Sequence, residues 1–538
     1  MIKKYLTLIL AIAICTTAAA DEDVLSILGD KPNAKAADGK VQKDEGMSTS
    51  PFKAVFGSGN AEQNIFFGLL QNREYEKAML QYFAAFAKSN TYKTPNGQAL
   101  LAYLFLRNDM PVFGVETLFS KTNPGQVAPV LLKAIRELLP DNSPVWKVAR
   151  LDWKPGWTQV FSPSVEVQVK SKKVYTAKDT EELRNIIKIS APGTADRAAI
   201  QWQLVLALAL NNDTVTAAKL LNNLMGTKEN PVGADLMNMT AARLLYENGY
   251  LDAAITYYKK VSKKSDLWIE AQEETGWAYI RKGEAQNTLG VTQSLIIPEF
   301  TNMVGPETVF LRALGELKVC DYPAVAKTLT TFKDRFRPRT VEMMNVSKSA
   351  NTPAVKEYIA RSKKQRLNLV DLKGLGAHLP RLITRDETLN QNIIVEKEME
   401  REGDIAAGIY GRSLANGTSK VGLQGEVEIF KQLIDGEVLK ARNNSLGRIK
   451  ALAQEELDET HRILQKLHIV EAEILQQTMA LQKVIKATEN SKEISKKGTT
   501  VADGRDTISW PANDGQVWFD EIGKYKVDVV KGCQAVKR

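Results

Sequence analysis

Histidine, the side chain most often used for acid–base chemistry and zinc binding, is scarce in this sequence. It occurs only at His378, His461 and His468. His461 and His468 can share one face of a helix, but a zinc site needs further ligands, and neither cysteines nor a second ligand pair stand at a suitable spacing. The stretch around Ser413 lacks a nucleophile elbow, because Ala415 stands where that turn requires glycine. We therefore predict no catalytic residue, no metal and no cofactor.

The N-terminus has the order of a secretory signal. Lys3 and Lys4 precede the apolar run 6–14, and small residues ending at Ala20 follow it. The run is shorter than the roughly 20 residues of a spanning helix, so we predict cleavage after Ala20 and export to the periplasm or cell envelope. A lipid anchor on Cys15 is the alternative. No later window is apolar throughout, so no transmembrane segment is expected in the mature chain.

Composition and charge point to an ordinary folded protein with protein partners. Hydrophobic residues make up 44% of the 538 residues and charged residues 25%, which excludes a wholly disordered chain. The net charge of +9 is mild for this length. Because nucleic acid is not expected outside the cytoplasm, we predict other envelope proteins or peptides as partners and no nucleic acid.

Residues 199–338 repeat with a period typical of helical hairpins. Four units begin near Ala199, Asp235, Ile269 and Pro306, at offsets of 36, 34 and 37 residues. Each unit fits two helices joined by a tight turn, with small residues where the helices cross. Since a hairpin cannot bury its apolar stripe alone, neighbouring hairpins should stack into a superhelix that presents the first helix of each unit on its inner face.

Two of these segments, GYLDAAITYYKKV and TGWAYIRKG, resemble the tetratricopeptide-repeat family. The resemblance is carried by Ala254, Tyr258, Gly276, Tyr279 and Gly283. It covers about 140 residues, and the stretch 61–86 is similar to one more such hairpin. Thr288 departs from the family pattern, which has alanine there. The resemblance implies an all-α, helical-repeat superhelix with a groove for a partner.

The family resemblance also implies which side chains line that groove. Four positions of the first helix carry over to Leu236, Met239, Arg243 and Tyr246 in the second unit, and to Glu270, Glu273, Trp277 and Ile280 in the third. Leu236 and Ile280 could equally be core. The partner-binding residues that we predict are therefore Met239, Arg243, Tyr246, Glu270, Glu273 and Trp277. Together they suit a peptide, with charges for its polar groups and rings for an apolar anchor.

Long helices are predicted after the repeats. Residues 386–402 read as one helix, glycines at 403–422 indicate a turn region, and 425–487 contain no proline. A heptad seam follows Ile463, Leu467, Val470, Ile474, Leu481 and Val484. We expect an antiparallel helical hairpin, in which Gly436, Asn443, Asn444 and Gly447 leave a kink or a break near 443–447 open. Docking of the seam on the repeats and a homodimer through the coiled coil remain open.

Two cysteines survive removal of the signal, and both carry a prediction. A disulfide between Cys320 and Cys533 would tie the C-terminus to the middle of the chain, and two free thiols are the alternative. The aromatic tail, with Trp510 and Trp518, is expected to pack back on the body. Its sequence WPANDGQVWFDEIGKYKV is similar to exported repeat proteins of myxobacterial-type envelope and gliding-motility assemblies.

The chain divides into seven parts by these signals. They are a signal peptide (1–20), a disordered leader (21–59), helical hairpins with a short extended arm at the alternating valines 165, 167 and 169 (60–190), the repeats (191–338), a linker and helix (339–385), a long helical hairpin or coiled coil (386–490) and the aromatic tail (491–538). We expect an exported scaffold or adaptor of a bacterial envelope complex, in motility or envelope assembly. The alternative is a cell-wall-remodelling enzyme, or its activator, that uses the repeats as a recognition arm.

Overall fold

A computed structural model describes residues 50–57, 60–86, 90–173, 175–227, 232–297, 300–415 and 424–487. These ranges hold α-helices and short 3-10 turns and no strand, so the predicted all-α class is confirmed. The signal peptide, Cys533 and the aromatic tail lie outside the described residues. The helices are α1 (Ser50–Phe56), α2 (Ala61–Gln71), α3 (Tyr75–Phe86), α4 (Pro95–Arg107), α5 (Pro111–Lys121), α6 (Pro129–Leu138), α7 (Val145–Val148), α8 (Pro163–Lys170), α9 (Thr180–Ile189), α10 (Ala195–Leu210), α11 (Thr214–Met225), α12 (Ala234–Glu247), α13 (Leu251–Tyr258), α14 (Trp268–Lys282), α15 (Ala285–Leu295), α16 (Pro306–Lys318), α17 (Tyr322–Lys348), α18 (Pro353–Ser362), α19 (Leu369–Leu372), α20 (Glu387–Ala415) and α21 (Gln424–Ala487).

Six helical hairpins with one common turn form the repeats. They are α2–α3, α4–α5, α10–α11, α12–α13, α14–α15 and α16–α17. Each turn passes through one residue in the left-handed conformation, and the next N–H donates to a carbonyl five positions back, as Tyr250 does to Leu245 at 2.9 Å. The left-handed residues are Arg73, Asp109, Asn212, Gly249, Gly283 and Cys320. The four units predicted at 199–338 and the hairpin predicted at 61–86 coincide with five of the six.

Gly276 and Thr288 of the third unit lie where helices approach each other closely. A Cβ at Gly276 would lie 2.5 Å from Cδ2 of Leu311, which is fully buried, so glycine at this position allows the close approach of α14 to α16 of the fourth unit. Thr288 of α15 is also buried, and its hydroxyl donates to the carbonyl oxygen of Gly276 at 3.1 Å. The threonine thus makes an interhelical hydrogen bond at the position where the family has alanine.

The predicted extended arm at 165–169 is wrong, because these residues form helix α8. Ser162 caps the helix, with its side chain accepting from the N–H of Val165 at 3.4 Å. Val165 and Val169 are buried in the core of the first hairpins, whereas Val167 is buried in the core of the next ones. Residues two apart on a helix point in nearly opposite directions. A helix between two cores therefore imitates the alternation of a strand.

The predicted leader also belongs partly to the fold. Helix α1 occupies its end, and Phe52 is buried against the hairpins that follow, so the prediction of disorder is wrong for Ser50–Phe56. None of the described helices is long and apolar enough to cross a membrane.

Helices α20 and α21 form the expected antiparallel pair. Arg448 binds Asp386 at 2.6 Å near the start of α20, and Arg442 binds Glu400 at 2.8 Å further along. The predicted turn region is helical as far as Ala415. Gly403 lies in this helix where Val438 of α21 approaches closely, since a Cβ there would be 3.2 Å from Cγ2 of Val438. α21 is one helix through 443–447, so it has no break in this described stretch.

The 64 residues of α21 pack against both ends of the repeat array. Near its start, Phe430 lies between Phe83 and Phe105, with ring centroids 6.5 and 6.3 Å away. Further on, the seam residues Ile463, Leu467 and Val470 are buried against α16 and α17. The described part of the seam therefore docks on the last hairpin. The side chains of Leu481 and Val484 lie outside the described residues, and a homodimer stays a prediction.

Candidate functional site

Helices α12 and α14 carry the side chains predicted to bind a partner. The six residues fall into two groups by burial. Met239, Arg243, Glu270 and Glu273 are buried, between 0 and 7% exposed. Tyr246 and Trp277 are half-buried. Of the two residues that could be core, Leu236 is 4% exposed and Ile280 is half-buried.

Two of the buried residues, Arg243 and Glu270, belong to an ionic cluster with a later segment of the same chain. Arg243 donates to both oxygens of Glu274, at 2.9 and 2.8 Å from its Nε, and its Nη2 lies 3.0 Å from Oε1 of Glu270. The other oxygen of Glu270 accepts from Nη1 of Arg385 at 2.7 Å. Burial favours the neutral acid, but Arg385 and Arg243 outweigh it and lower the pKa of Glu270. Glu270 is therefore an ionised carboxylate held between two guanidinium groups.

Glu273 lies in a different environment one helical turn away. Burial, together with the neighbouring carboxyl of Glu307, raises the pKa of Glu273 to about 8, although Arg381 lowers it. The hydroxyl of Thr308 donates to Oε2 of Glu273. At neutral pH this side chain is accordingly a neutral acid, and it does not offer a charge to a basic ligand.

The segment 379–386, which leads into α20, fills this half of the inner face. The backbone N–H of Arg381 donates to Glu456 of α21 at 2.8 Å, and its guanidinium binds Glu459 at 2.6 Å. Arg339 of α17 binds the same Glu456, also at 2.6 Å. The segment is thus fixed between the repeats and α21. The groove that the sequence predicts as open is occupied here by the protein's own chain.

The side chains on the other half of the inner face are called here the aromatic shelf: Tyr246, Trp277, Arg281, Phe310 and Lys466. Arg281 is exposed and Tyr246, Trp277 and Lys466 are half-buried, whereas Phe310 is only 7% exposed. The guanidinium of Arg281 lies over the ring of Tyr246 at 5.1 Å, and the rings of Trp277 and Phe310 are 5.9 Å apart. Lys466 of α21 lies over Phe310, also at 5.1 Å. The shelf therefore crosses three successive first helices and ends on the long helix.

Neither cation of the shelf has a carboxylate partner within the described chain. Arg281 donates to the carbonyl oxygen of Tyr246 at 2.7 Å, but neither Arg281 nor Lys466 has a carboxylate oxygen within 4.0 Å among the described side chains. The cations of the ionic cluster, by contrast, are bound by glutamates. The indole N–H of Trp277 has no acceptor in the same part of the chain, but it is buried, so only the ring of Trp277 faces a ligand. Two cations beside aromatic rings suit a ligand with carboxylates and an apolar group.

Sequence reasoning missed three members of the shelf and both arginines of the segment. Arg281 could have been found, because it follows Trp277 by four residues on one helix and so shares its face. Lys466 could not, since the sequence does not reveal which hairpin α21 contacts. The same applies to Arg385, which meets Glu270 across 115 residues of chain.

The described residues include one of the two cysteines of the predicted disulfide. Cys320 occupies the left-handed position of the α16–α17 turn, and it takes part in a disulfide. Its partner cysteine lies outside the described residues, so the pairing with Cys533 stays a prediction.

The predicted absence of a metal centre has no direct test. Among the described residues no group of His, Cys, Asp and Glu side chains is arranged to hold an ion. His378 and His468 instead lie beside Glu342 and Glu471, at 2.9 and 3.3 Å.

Comparison of the sequence with models of protein families gives no match, and no curated protein matches it either.

Proposed function

We propose that this protein is an exported scaffold or adaptor of the tetratricopeptide-repeat type, which gathers other proteins in a bacterial cell-envelope complex such as a motility or envelope-assembly machine. The basis for export is the signal-like N-terminus, and the basis for repeat type is the sequence pattern of α12–α15 together with the stacked hairpins. The partner would dock on the aromatic shelf rather than on the whole inner face.

The observation that carries this proposal is that the two cations of the aromatic shelf have no carboxylate partner among the described side chains. Arg281 and Lys466 supply positive charge at its two ends, 5.1 Å from their rings. Trp277 and Tyr246, which lie between them, are partly accessible. Tryptophan and tyrosine are among the residue types most enriched at the strongest contacts of protein interfaces. A partner segment with acidic side chains and one apolar anchor fits this arrangement.

The ionic cluster beneath the shelf supports binding without a large ordering cost. α14 carries both Trp277 of the shelf and Glu270 of the cluster, and Glu270 is held from two sides by Arg243 and Arg385. A surface that is already fixed before association loses less conformational entropy when the partner binds. The segment 379–386 would then be a structural support of the binding surface and not its ligand.

Charge reversal on the shelf tests the proposal. Mature protein carrying Arg281→Glu and Lys466→Glu is cross-linked in envelope extract. A control carries Arg184→Glu and Lys219→Glu, two exposed cations on α9 and α11. We expect a defined set of partners with the unchanged protein and the control, and loss of that set with the shelf variant.

Two results would contradict the proposal, the first for the docking surface and the second for the scaffold function. One is an identical set of cross-linked proteins for all three chains, which would show that the shelf is not the docking surface. The other is hydrolysis of isolated cell wall by the purified protein, which would favour the enzymatic alternative.

A further inference from the structure

The far end of α21 has a second apolar face, directed away from the repeats. Ile469, Leu475 and Met479 are 71, 57 and 61% exposed. At about 100° of helical rotation per residue they lie within an arc of roughly 120°, opposite the buried Ile463 and Leu467. We call these three side chains the outer stripe.

The size of the outer stripe argues against a second copy of the chain as its cover. From Ile469 to Met479 the helix rises by ten steps of 1.5 Å, which is about 15 Å. Three or four side chains over that length offer on the order of 400 Å² per copy, about half of what each partner buries in a stable interface. A segment of the same chain needs no such area, because its attachment supplies a high effective concentration.

The remaining chain supplies a suitable segment. α21 ends at Ala487, eight residues after Met479, and 51 residues follow. Within them the stretch 510–525 contains Trp510, Trp518, Phe519 and Tyr525. Large rings on a segment too short to form its own core need an apolar surface elsewhere.

A disulfide between Cys320 and Cys533 would hold the C-terminus near this end of α21. α17 and α21 run antiparallel, because Arg339 binds Glu456 at 2.6 Å whereas the earlier Lys333 lies 3.6 Å from the later Glu471. The start of α17, where Cys320 lies, therefore points toward the end of α21. Cys533 is the one cysteine that follows α21 in the sequence.

We infer that residues 510–525 dock on the outer stripe of α21, so that the C-terminal segment leaves the helix at Ala487, turns back over Met479, Leu475 and Ile469, and ends at a disulfide between Cys533 and Cys320. The stripe and the aromatic shelf are separate surfaces, so this inference does not depend on the proposed function.

Photocross-linking of the purified mature chain tests the inference. Benzoylphenylalanine is placed at Leu475 or at Met479, and at Val215 as a control that is equally exposed, at 63%, on α11. After irradiation at low concentration and proteolysis, we expect cross-links from positions 475 and 479 to peptides of 510–525 within the same chain, and at least a tenfold lower yield from Val215.

Three results would overturn the inference. Cross-links that join two chains, recognised by mixing isotopically labelled and unlabelled protein, would identify a second copy as the cover. Cross-links to segments other than 510–525 would place the tail elsewhere. Equal yields from all three positions would show that the tail has no preferred site.

Limited proteolysis gives an independent readout on chains without an unnatural residue. Leu475→Glu with Met479→Glu should speed tryptic cleavage at Lys524 several-fold relative to Val215→Glu, with the helical circular dichroism unchanged in each variant. An unchanged cleavage rate would contradict the inference.

Discussion

Removing Glu270 should separate the contribution of the buried ionic cluster from that of surface ion pairs. In Glu270→Ala, Arg243 keeps Glu274 at 2.8 and 2.9 Å. Arg385, which is 8% exposed, keeps among the described residues only the carbonyl oxygen of Asp266 at 3.3 Å. A buried cation without its carboxylate costs about 3–5 kcal/mol. We therefore expect the free energy of unfolding to fall by that amount.

The matched control is an exposed ion pair that also joins the repeats to the C-terminal helices. Arg412 of α20 binds Glu76 of α3 at 2.8 Å, and the two side chains are 58 and 53% exposed. Because solvent screens such a pair, Glu76→Ala should cost no more than about 1 kcal/mol. Urea denaturation followed by circular dichroism measures both variants, and Glu270→Ala should show the markedly lower midpoint.

A double variant checks the physical reason. In Glu270→Leu with Arg385→Met both buried charges are gone and the volume is roughly kept, so most of the lost stability should return. The reasoning is refuted if Glu270→Ala is no more destabilising than Glu76→Ala, or if the double variant is less stable than Glu270→Ala.

Three further predictions concern the interior of the repeats and the disulfide. The pKa of Glu273 is about 8 in the folded chain, against 4.5 when unfolded, so its contribution to stability is complete below pH 4.5 and is lost as pH rises through 8. In Glu273→Gln the urea midpoint should therefore fall less between pH 5 and pH 8.5 than in the unchanged protein. An equal fall in both proteins would contradict this. Gly276→Val should destabilise by about 1–3 kcal/mol through overpacking, whereas Gly68→Ala, with no atom within 4 Å of the new Cβ, should be neutral or stabilising in the same urea assay. Non-reducing peptide mapping should recover Cys320 joined to Cys533, and alkylation of either thiol without reductant would exclude the pair.

The sequence predicts local structure here far better than long-range contacts. The hairpins could be found because a period of 34–37 residues and glycines such as Gly249 and Gly283 are local signals. The alternating valines of α8 led to the wrong prediction of an extended arm. In a helix buried between two cores, residues two apart can both be apolar, as in a strand. The glycines at 403–411 also misled, because helix–helix approach and chain reversal both favour glycine.

In the candidate site, too, the sequence predicts local features but not long-range contacts. Six inner-face residues could be named from their positions in a repeating pattern, and Tyr246 and Trp277 are indeed partly accessible. The filling of the lower half by residues 379–386 could not be predicted, because it depends on contacts such as that between Arg385 and Glu270 across 115 residues. A sequence period does not indicate which residues so far apart in the chain make contact.

Helix α21 acts as a brace along the repeat array, since it is anchored on the first hairpin by Phe430 and on the last by Leu467. An open array of repeats can lengthen by one unit without disturbing the others, because each unit touches only its neighbours. In a braced array, one more hairpin would add roughly 10 Å and pull these anchors out of register. The number of hairpins and the length of α21 can therefore change only together, by about seven helical residues for every unit gained or lost.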